Sequence, residues 1–174
     1  LLRSGMRVFV HGASATPTPL LEAMIRRTDL EEVRLYHLHL AGPTPFTEPE
    51  YSDRFRSISF FTGPAQRKPI EEARADFIPI FLSDIPGLFI SGNVPLDVAI
   101  LQLSPPDRHG MCSLGTSCDA AKAAAAKKNV TKPPAEAPEC LKCHVTAFDA
   151  AKGAAPEKIV KEHIDPAIGM MPYQ

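Results

Sequence analysis

The 174 residues suffice for one domain, or for one domain with an appendage. With 44% hydrophobic and 22% charged residues the chain can fill a core, which excludes wholesale disorder. A formal net charge of −1 argues against an extended nucleic-acid surface, and no run of about eighteen apolar residues offers a membrane span.

The opening Leu1-Leu2-Arg3-Ser4-Gly5 lacks the charged end, apolar stretch and small-residue cleavage site of a signal peptide. A cytoplasmic chain is therefore expected. Residues 6–10 (MRVFV), bounded by Gly5 and Gly12, read as a strand. Thr16-Pro17-Thr18-Pro19 then offers a capping threonine and a proline for a first helical position ahead of LLEAMIRR. Arg26 and Arg27 suit the last turn of that helix. Residues 33–40 and 57–61 read as the second and third strands, and 66–73 as a helix that Pro69 shortens or kinks. Residues 77–82 read as a fourth strand, 85–89 as a brief helix, and 98–103 (VAILQL) as a strand buried on both faces. An Ala-rich helix over 117–128, which Asp119 helps to start, closes this part.

Strands alternating with helices imply an α/β fold, an open and largely parallel sheet with helices on both faces. Composition shifts after residue 126. Residues 127–138 form a Pro/Ala/Lys-rich linker, and 139–174 form a short irregular or helical tail.

Parallel sheets bind ligands at the carboxyl ends of their strands. The loop after the first strand, His11-Gly12-Ala13-Ser14-Ala15-Thr16-Pro17, is the first candidate, because small residues let a ligand approach the backbone. It is neither a dinucleotide fingerprint nor a Walker loop, and an ordinary strand-to-helix turn is the plain alternative. Ser14 lacks a nucleophile elbow, so a loop or capping role is expected for it. His37 and His39, at strand spacing, read as surface or interface histidines rather than a metal pair. Glu48 and Glu50 read as solvated loop acids. The turn with Ser104, Asp107, His109 and Gly110 follows the most apolar strand, again at a carboxyl end, although turn chemistry alone explains it.

Four segments carry a resemblance: RVFVHGASATPTPLLEA, VRLYHLHLAGPTPF, FTGPAQRKPIEEARADFIPIFLSDIP and PLDVAILQLSPPDRHGMCSLGTSCDAA. In order and spacing, residues 6–126 resemble the N-terminal domain of the acetyl-CoA hydrolase/transferase family, which includes 4-hydroxybutyrate and succinyl-CoA:acetate CoA-transferases. The resemblance implies CoA esters and carboxylates as substrates. It also implies a glutamate that attacks the thioester to give an acyl-glutamyl anhydride and then a glutamyl-CoA thioester, which the acceptor acid resolves. That glutamate belongs to a second domain, so no catalytic residue is assigned here. Glu71 and Glu72 lie in the wrong region to take its place. By position, the loop from His11 to Pro17 faces the cleft, and Ser104, Asp107, His109, Gly110 and residues 77–84 border it. The expected partner is the second transferase domain or another copy of the chain.

The tail carries Cys140-Leu141-Lys142-Cys143-His144. C-x-x-C-H reads as c-type haem attachment, the two thiols bonding the vinyl groups and His144 ligating the iron. The neighbourhood also resembles one haem-binding segment of multihaem c-type cytochromes. The sixth ligand is then His163, which that resemblance favours, or Met170 or Met171. A redox-active C-x-x-C and an incomplete zinc site, with Cys112 and Cys118 as further ligands, are the competing readings. Covalent haem belongs outside the cytosol, in the periplasm or beyond, whereas CoA esters are cytosolic. The chain therefore reads as truncated or chimeric.

Overall fold

The structure is a computed structural model that describes residues 2–109 and 111–125. Five short strands form one sheet: β1 (Arg7–Val10), β2 (Val33–His37), β3 (Phe55–Ser59), β4 (Ala75–Phe77) and β5 (Val98–Ile100). All pairings are parallel, in the order β4-β3-β2-β1-β5. Helix α1 (Thr18–Ile25) links β1 to β2, α2 (Pro64–Glu71) links β3 to β4, and α3 (Ile85–Ser91) links β4 to β5. Helix α4 (Ala121–Ala125) follows a long loop after β5.

The period of two along each strand divides the apolar residues between two faces. Val8, Val10, Leu35, Phe55 and Ile100 pack with Leu20, Leu21 and Met24 of α1. Phe9, Tyr36, Ile58, Ala99 and Leu101 pack with Ile85 and Phe89 of α3 and with the alanines of α4. Phe9 and Phe60 meet Phe89 edge-on, with ring centroids 5.5 and 5.8 Å apart. Ser57 shares a face with Phe55 and reaches Gln66 of α2, so α2 lies on the α1 side. The expected open parallel sheet with helices on both faces is what these residues build.

Element boundaries depart from the sequence reading for identifiable reasons. The second strand stops at His37 rather than residue 40, because the His39 carbonyl turns away to accept the Ala13 N–H at 2.6 Å. The third strand starts two residues early, at Phe55, in register with Val33. The fourth is displaced to Ala75–Phe77: the Ile78 N–H closes the ladder on Ser59 O at 2.9 Å, and Pro79 has no N–H to extend it. The last strand ends at Ile100, where its carbonyl accepts the His11 N–H.

Thr16 does not cap α1. Its hydroxyl donates to Ala13 O and accepts the Ala41 N–H, which ties the loop to the segment after β2. Arg26 and Arg27 lie beyond the helix, and Arg27 pairs with Asp29. Pro69 does not shorten α2, which starts at Pro64 and runs through it. The Ala-rich helix is described only over Ala121–Ala125, and Asp119 does start it, its Oδ1 accepting the Ala121 N–H at 2.8 Å. The linker, the tail and Gly110 lie outside the described residues. Among the described residues no helix is long and apolar enough to cross a membrane.

Candidate functional site

Strands β1 to β4 progress in one direction across the sheet, and β5 then returns to the other side of β1. The loops leaving β1 and β5 therefore diverge to opposite faces, and a crevice opens between them at their carboxyl ends. A groove of about 260 Å³ occupies this position, lined by Ser14 and Ala15 after β1 and by residues 102–104 after β5. Residues 113–117 form its third wall.

The loop after β1 is shaped by close backbone approach. A side chain at Gly12 would place its Cβ 2.5 Å from the His39 carbonyl oxygen and 3.3 Å from Asp119 Oδ2. Ala13 adopts φ +48°, which lets its N–H reach that carbonyl. Ser14 is carried out into the groove, where its Oγ lies 2.7 Å from Ser117 Oγ and 3.0 Å from Thr116 Oγ1. Ala15 and Pro17 are buried, and the Pro17 carbonyl accepts the Leu20 and Leu21 N–H groups at the start of α1.

His11 stands behind this wall, fully buried. The Gln102 N–H donates to its Nδ1 at 3.2 Å, and its Nε2 donates to the Ser117 carbonyl. A backbone N–H can only donate and a carbonyl can only accept, so the ring is held as the Nε2–H tautomer. His11 thus clamps β1, β5 and the 113–119 loop together. Asp119 completes the clamp: the residue is exposed as a whole, but its carboxylate turns inward toward Gly12. Burial of that carboxyl group pushes its pKa above the usual aspartate range, against the pull of the Ala121, Ala120 and Gly12 N–H groups.

The turn after β5 folds back on itself. Ser104 donates its N–H to Ser113 O at 3.0 Å, and its Oγ accepts the Ser113 N–H at 2.8 Å. Asp107 Oδ1 accepts the His109 and Met111 N–H groups, which makes Asp107 the turn-former. Ser104 lines the groove, whereas Asp107 and an exposed His109 sit at the tip of the turn.

His37 and His39 are separated rather than paired. The expectation of a surface histidine at 37 is overturned: His37 is fully buried, its Nδ1 2.7 Å from Leu38 O and its Nε2 2.8 Å from Ser57 Oγ. His39 is exposed, edge-on to Phe61 at 5.8 Å. Glu48 and Glu50 are exposed, as expected. Among the described residues no group of three or more His, Cys, Asp or Glu side chains could hold a metal ion. Cys140, Cys143, His144, His163 and Met170 lie outside the described residues.

The sequence reading missed Gln102, Ser113, Thr116, Ser117 and Asp119. The run Ser113-Leu114-Gly115-Thr116-Ser117 is rich in hydroxyls around a glycine with φ +67°, a loop signal that nothing local connects to the first strand.

A parallel sheet covered on both faces, with a polar groove where the strand order reverses, defines an open α/β domain. The chain belongs to the acetyl-CoA hydrolase/transferase family, whose N-terminal domain it matches over residues 1–138. It is 47% identical, over 126 residues, to a succinyl-CoA:acetate/propanoyl-CoA:succinate CoA transferase of Fasciola hepatica, a match covering 71% of this chain and 26% of that protein. A 4-hydroxybutyrate CoA-transferase structure from Porphyromonas gingivalis superposes with a TM-score of 0.54 at 32% identity, covering 71% of this chain and 27% of that one. RipA from Yersinia pestis shares the fold, with a TM-score of 0.66 at 23% identity over 74% of this chain and 32% of that one. The chain spans about a quarter of the length of the curated relatives it matches.

Proposed function

We propose that this domain is the N-terminal part of an acyl-CoA:carboxylate CoA-transferase or acetyl-CoA hydrolase, its groove forming one wall of the CoA-ester cleft. The observation that carries the reading is family membership over residues 1–138, joined to a groove at the carboxyl ends of β1 and β5. In this reading Ser14 and Ser104 orient the substrate, and Gly12, Ala13 and His11 hold the loop that presents Ser14. Asp107 and His109 border the mouth. The substrates are an acyl-CoA and a carboxylate, and the compartment proposed is the cytoplasm.

Among the described residues no carboxylate lines the groove. In this reading the glutamate that the family resemblance implies comes from a second domain, and this wall contributes positioning rather than the covalent step. Phe81, 79% exposed, and Ile90, 73% exposed, support an apolar partner surface of that kind. Titration calorimetry with acetyl-CoA, paired with a transfer assay using labelled acetate, tests the reading. The 174-residue chain is expected to bind the ester without turnover. Absence of binding overturns the reading, and transfer above a blank overturns the assignment of the nucleophile elsewhere.

A second reading applies to the tail alone. The family match stops at residue 138, two positions before Cys140, and Cys140-x-x-Cys143-His144 retains the pattern of a haem c site. His144 would be the proximal ligand, with His163 or Met170 opposite. Export with a haem-maturation system is expected to give a Soret band that survives denaturation. Colourless protein under those conditions overturns this reading.

A further inference from the structure

We propose that a row of three arginines at the amino end of the sheet, Arg7, Arg34 and Arg56, is a docking site for a side-chain carboxylate of a partner polypeptide, received by Arg34. The row lies at the opposite end of the strands from the groove and does not depend on how that groove is used. Arg7 pairs in register with Arg34, and Arg34 with Arg56, on three adjacent strands. In-register residues share a face of the sheet, here the one that carries Phe9, Tyr36 and Ile58 two positions further on. Helices α3 and α4 cover those apolar residues, but Arg34 is exposed and Arg7 and Arg56 are half-buried.

The outer two cations are satisfied and the middle one is not. Arg7 holds Asp97 through two hydrogen bonds of 2.9 Å, from Nε and Nη2. Arg56 grips Asp76 in the same two-pronged way, with Nε to Oδ2 at 2.7 Å, and its third nitrogen donates to the Ala73 carbonyl. Among the described residues the Arg34 guanidinium has neither an ion pair nor a hydrogen bond. Its field reaches Asp76, whose carboxyl is held below the usual aspartate range first by the Arg56 hydrogen bonds and then by the charges of Arg56 and Arg34. Three cations and two anions leave one positive charge, centred on Arg34.

Neighbouring strands are about 4.8 Å apart, so Arg34 has a like charge on each side at a separation that disfavours the row. One carboxylate set against Arg34 would complete an alternating line of charge, and the guanidinium fork matches a carboxylate's two oxygens. Magnitudes decide the source of that carboxylate. An exposed ion pair by itself changes an equilibrium by about fivefold at most, far short of the factor of about a thousand that millimolar affinity represents. A free carboxylic acid would not stay. A polypeptide that brings its carboxylate together with other contacts would, and Arg34 would then fix its register on the sheet.

Titration of the 174-residue chain with poly-L-glutamate, followed by the Nε–H signals of its arginines in nitrogen-15 spectra, tests the proposal. Sodium acetate at equal carboxylate concentration and a DNA duplex at equal charge are the comparison probes. Poly-L-glutamate is expected to shift the Arg34 signal, with an effect that fades between about 0.01 and 1 M salt as the Debye length falls from about 30 to 3 Å. Acetate is expected to leave the signal in place, and DNA to shift it less. Arg34→Gln is expected to weaken poly-L-glutamate binding about fivefold, whereas Arg67→Gln, an exposed change on α2 at the other face, leaves it unchanged. Without any partner, Arg34→Gln should raise the urea midpoint at low salt, because it removes the like-charge contact. An equal shift with acetate makes the row a simple ion site and overturns the proposal. So does tighter binding of DNA, undiminished binding by Arg34→Gln, or a lower midpoint for that variant at low salt, which would give Arg34 a role in the fold itself.

Discussion

Ser57 Oγ lies 2.8 Å from Nε2 of His37, inside the sheet, where neither side chain reaches water. His37 Nδ1 faces the Leu38 carbonyl and so carries the proton, which leaves Nε2 to accept from the Ser57 hydroxyl. That hydroxyl has one proton, yet Gln66 also presents Oε1 to it at 2.9 Å while Gln66 Nε2 has no partner. Turning the Gln66 amide over resolves both demands. Gln66 then donates to Ser57, Ser57 to His37, and His37 to the backbone, a chain that joins α2, β3 and β2 with one donor and one acceptor at each link.

The first prediction concerns pH. Burial lowers the His37 pKa from 6.5 to about 4, against the pull of its Leu38 hydrogen bond. Between those values the unfolded chain takes up a proton that the folded chain refuses. Stability contributed by neutral His37 is therefore present above about 6.5 and is lost as the pH falls towards 4. The expected loss is on the order of 3 kcal/mol. Urea midpoints of the parent and of His37→Gln, taken across this window, check it. The parent should decline more steeply, and equal slopes would count against a buried neutral imidazole.

Removing the middle of the chain should cost more than a surface change. Ser57→Ala leaves His37 Nε2 without a donor and Gln66 without its partner, both buried, so a loss of about 1–3 kcal/mol is expected. Chemical denaturation at neutral pH measures it. A change within about 0.5 kcal/mol, ordinary for exposed positions, would contradict the proton assignment.

Adjacent residues in the loop after β1 should respond in opposite ways. Gly12→Ala drives a methyl against the His39 backbone oxygen, a contact of 2.5 Å that no side-chain rotation relieves, and should cost about 1–3 kcal/mol. Ala13→Gly releases a side chain from φ +48° and should leave stability level or raise it by up to about 1 kcal/mol. Thermal unfolding of the two variants separates them. Equal losses would show that the loop's backbone is not held as described.

Self-association is the fourth expectation. Phe81, Leu82 and Ile90 are 79%, 55% and 73% exposed, and the edge strand β4 adds Phe77 at 43%. Sedimentation velocity should show mass rising with concentration. Phe81→Ser combined with Ile90→Lys should reduce that rise without loss of stability, since neither side chain is packed in the core. A concentration-independent monomer in the parent would remove the case for an apolar partner surface.

Short apolar runs such as RVFV and VAI, each set off by proline, glycine or charge, were enough to read strands, helices between them, and hence parallel pairing and loops at the carboxyl ends. Strand limits were not legible, because a strand ends where its partner's ladder ends. The register of Val33 on Phe55 and the capture of Ser59 O by Ile78 are properties of pairs. His37 looked like a surface residue for the same reason: alternation marks a side but cannot tell whether a helix lies over it.

The chain's residues by themselves determined the class of fold and the segments that match the transferase family, and they made the loop from His11 to Pro17 a candidate site. Tertiary structure alone decided that β5 returns beside β1, that His11 serves as a clamp, and that Thr116 and Ser117 complete the groove. Ser14 and Thr116 are 102 positions apart, and Ser14 and Ser117 are 103. Local propensity and periodicity act over a few residues, whereas these contacts arise when the sheet closes and buries both of its faces, so no window of sequence carries them.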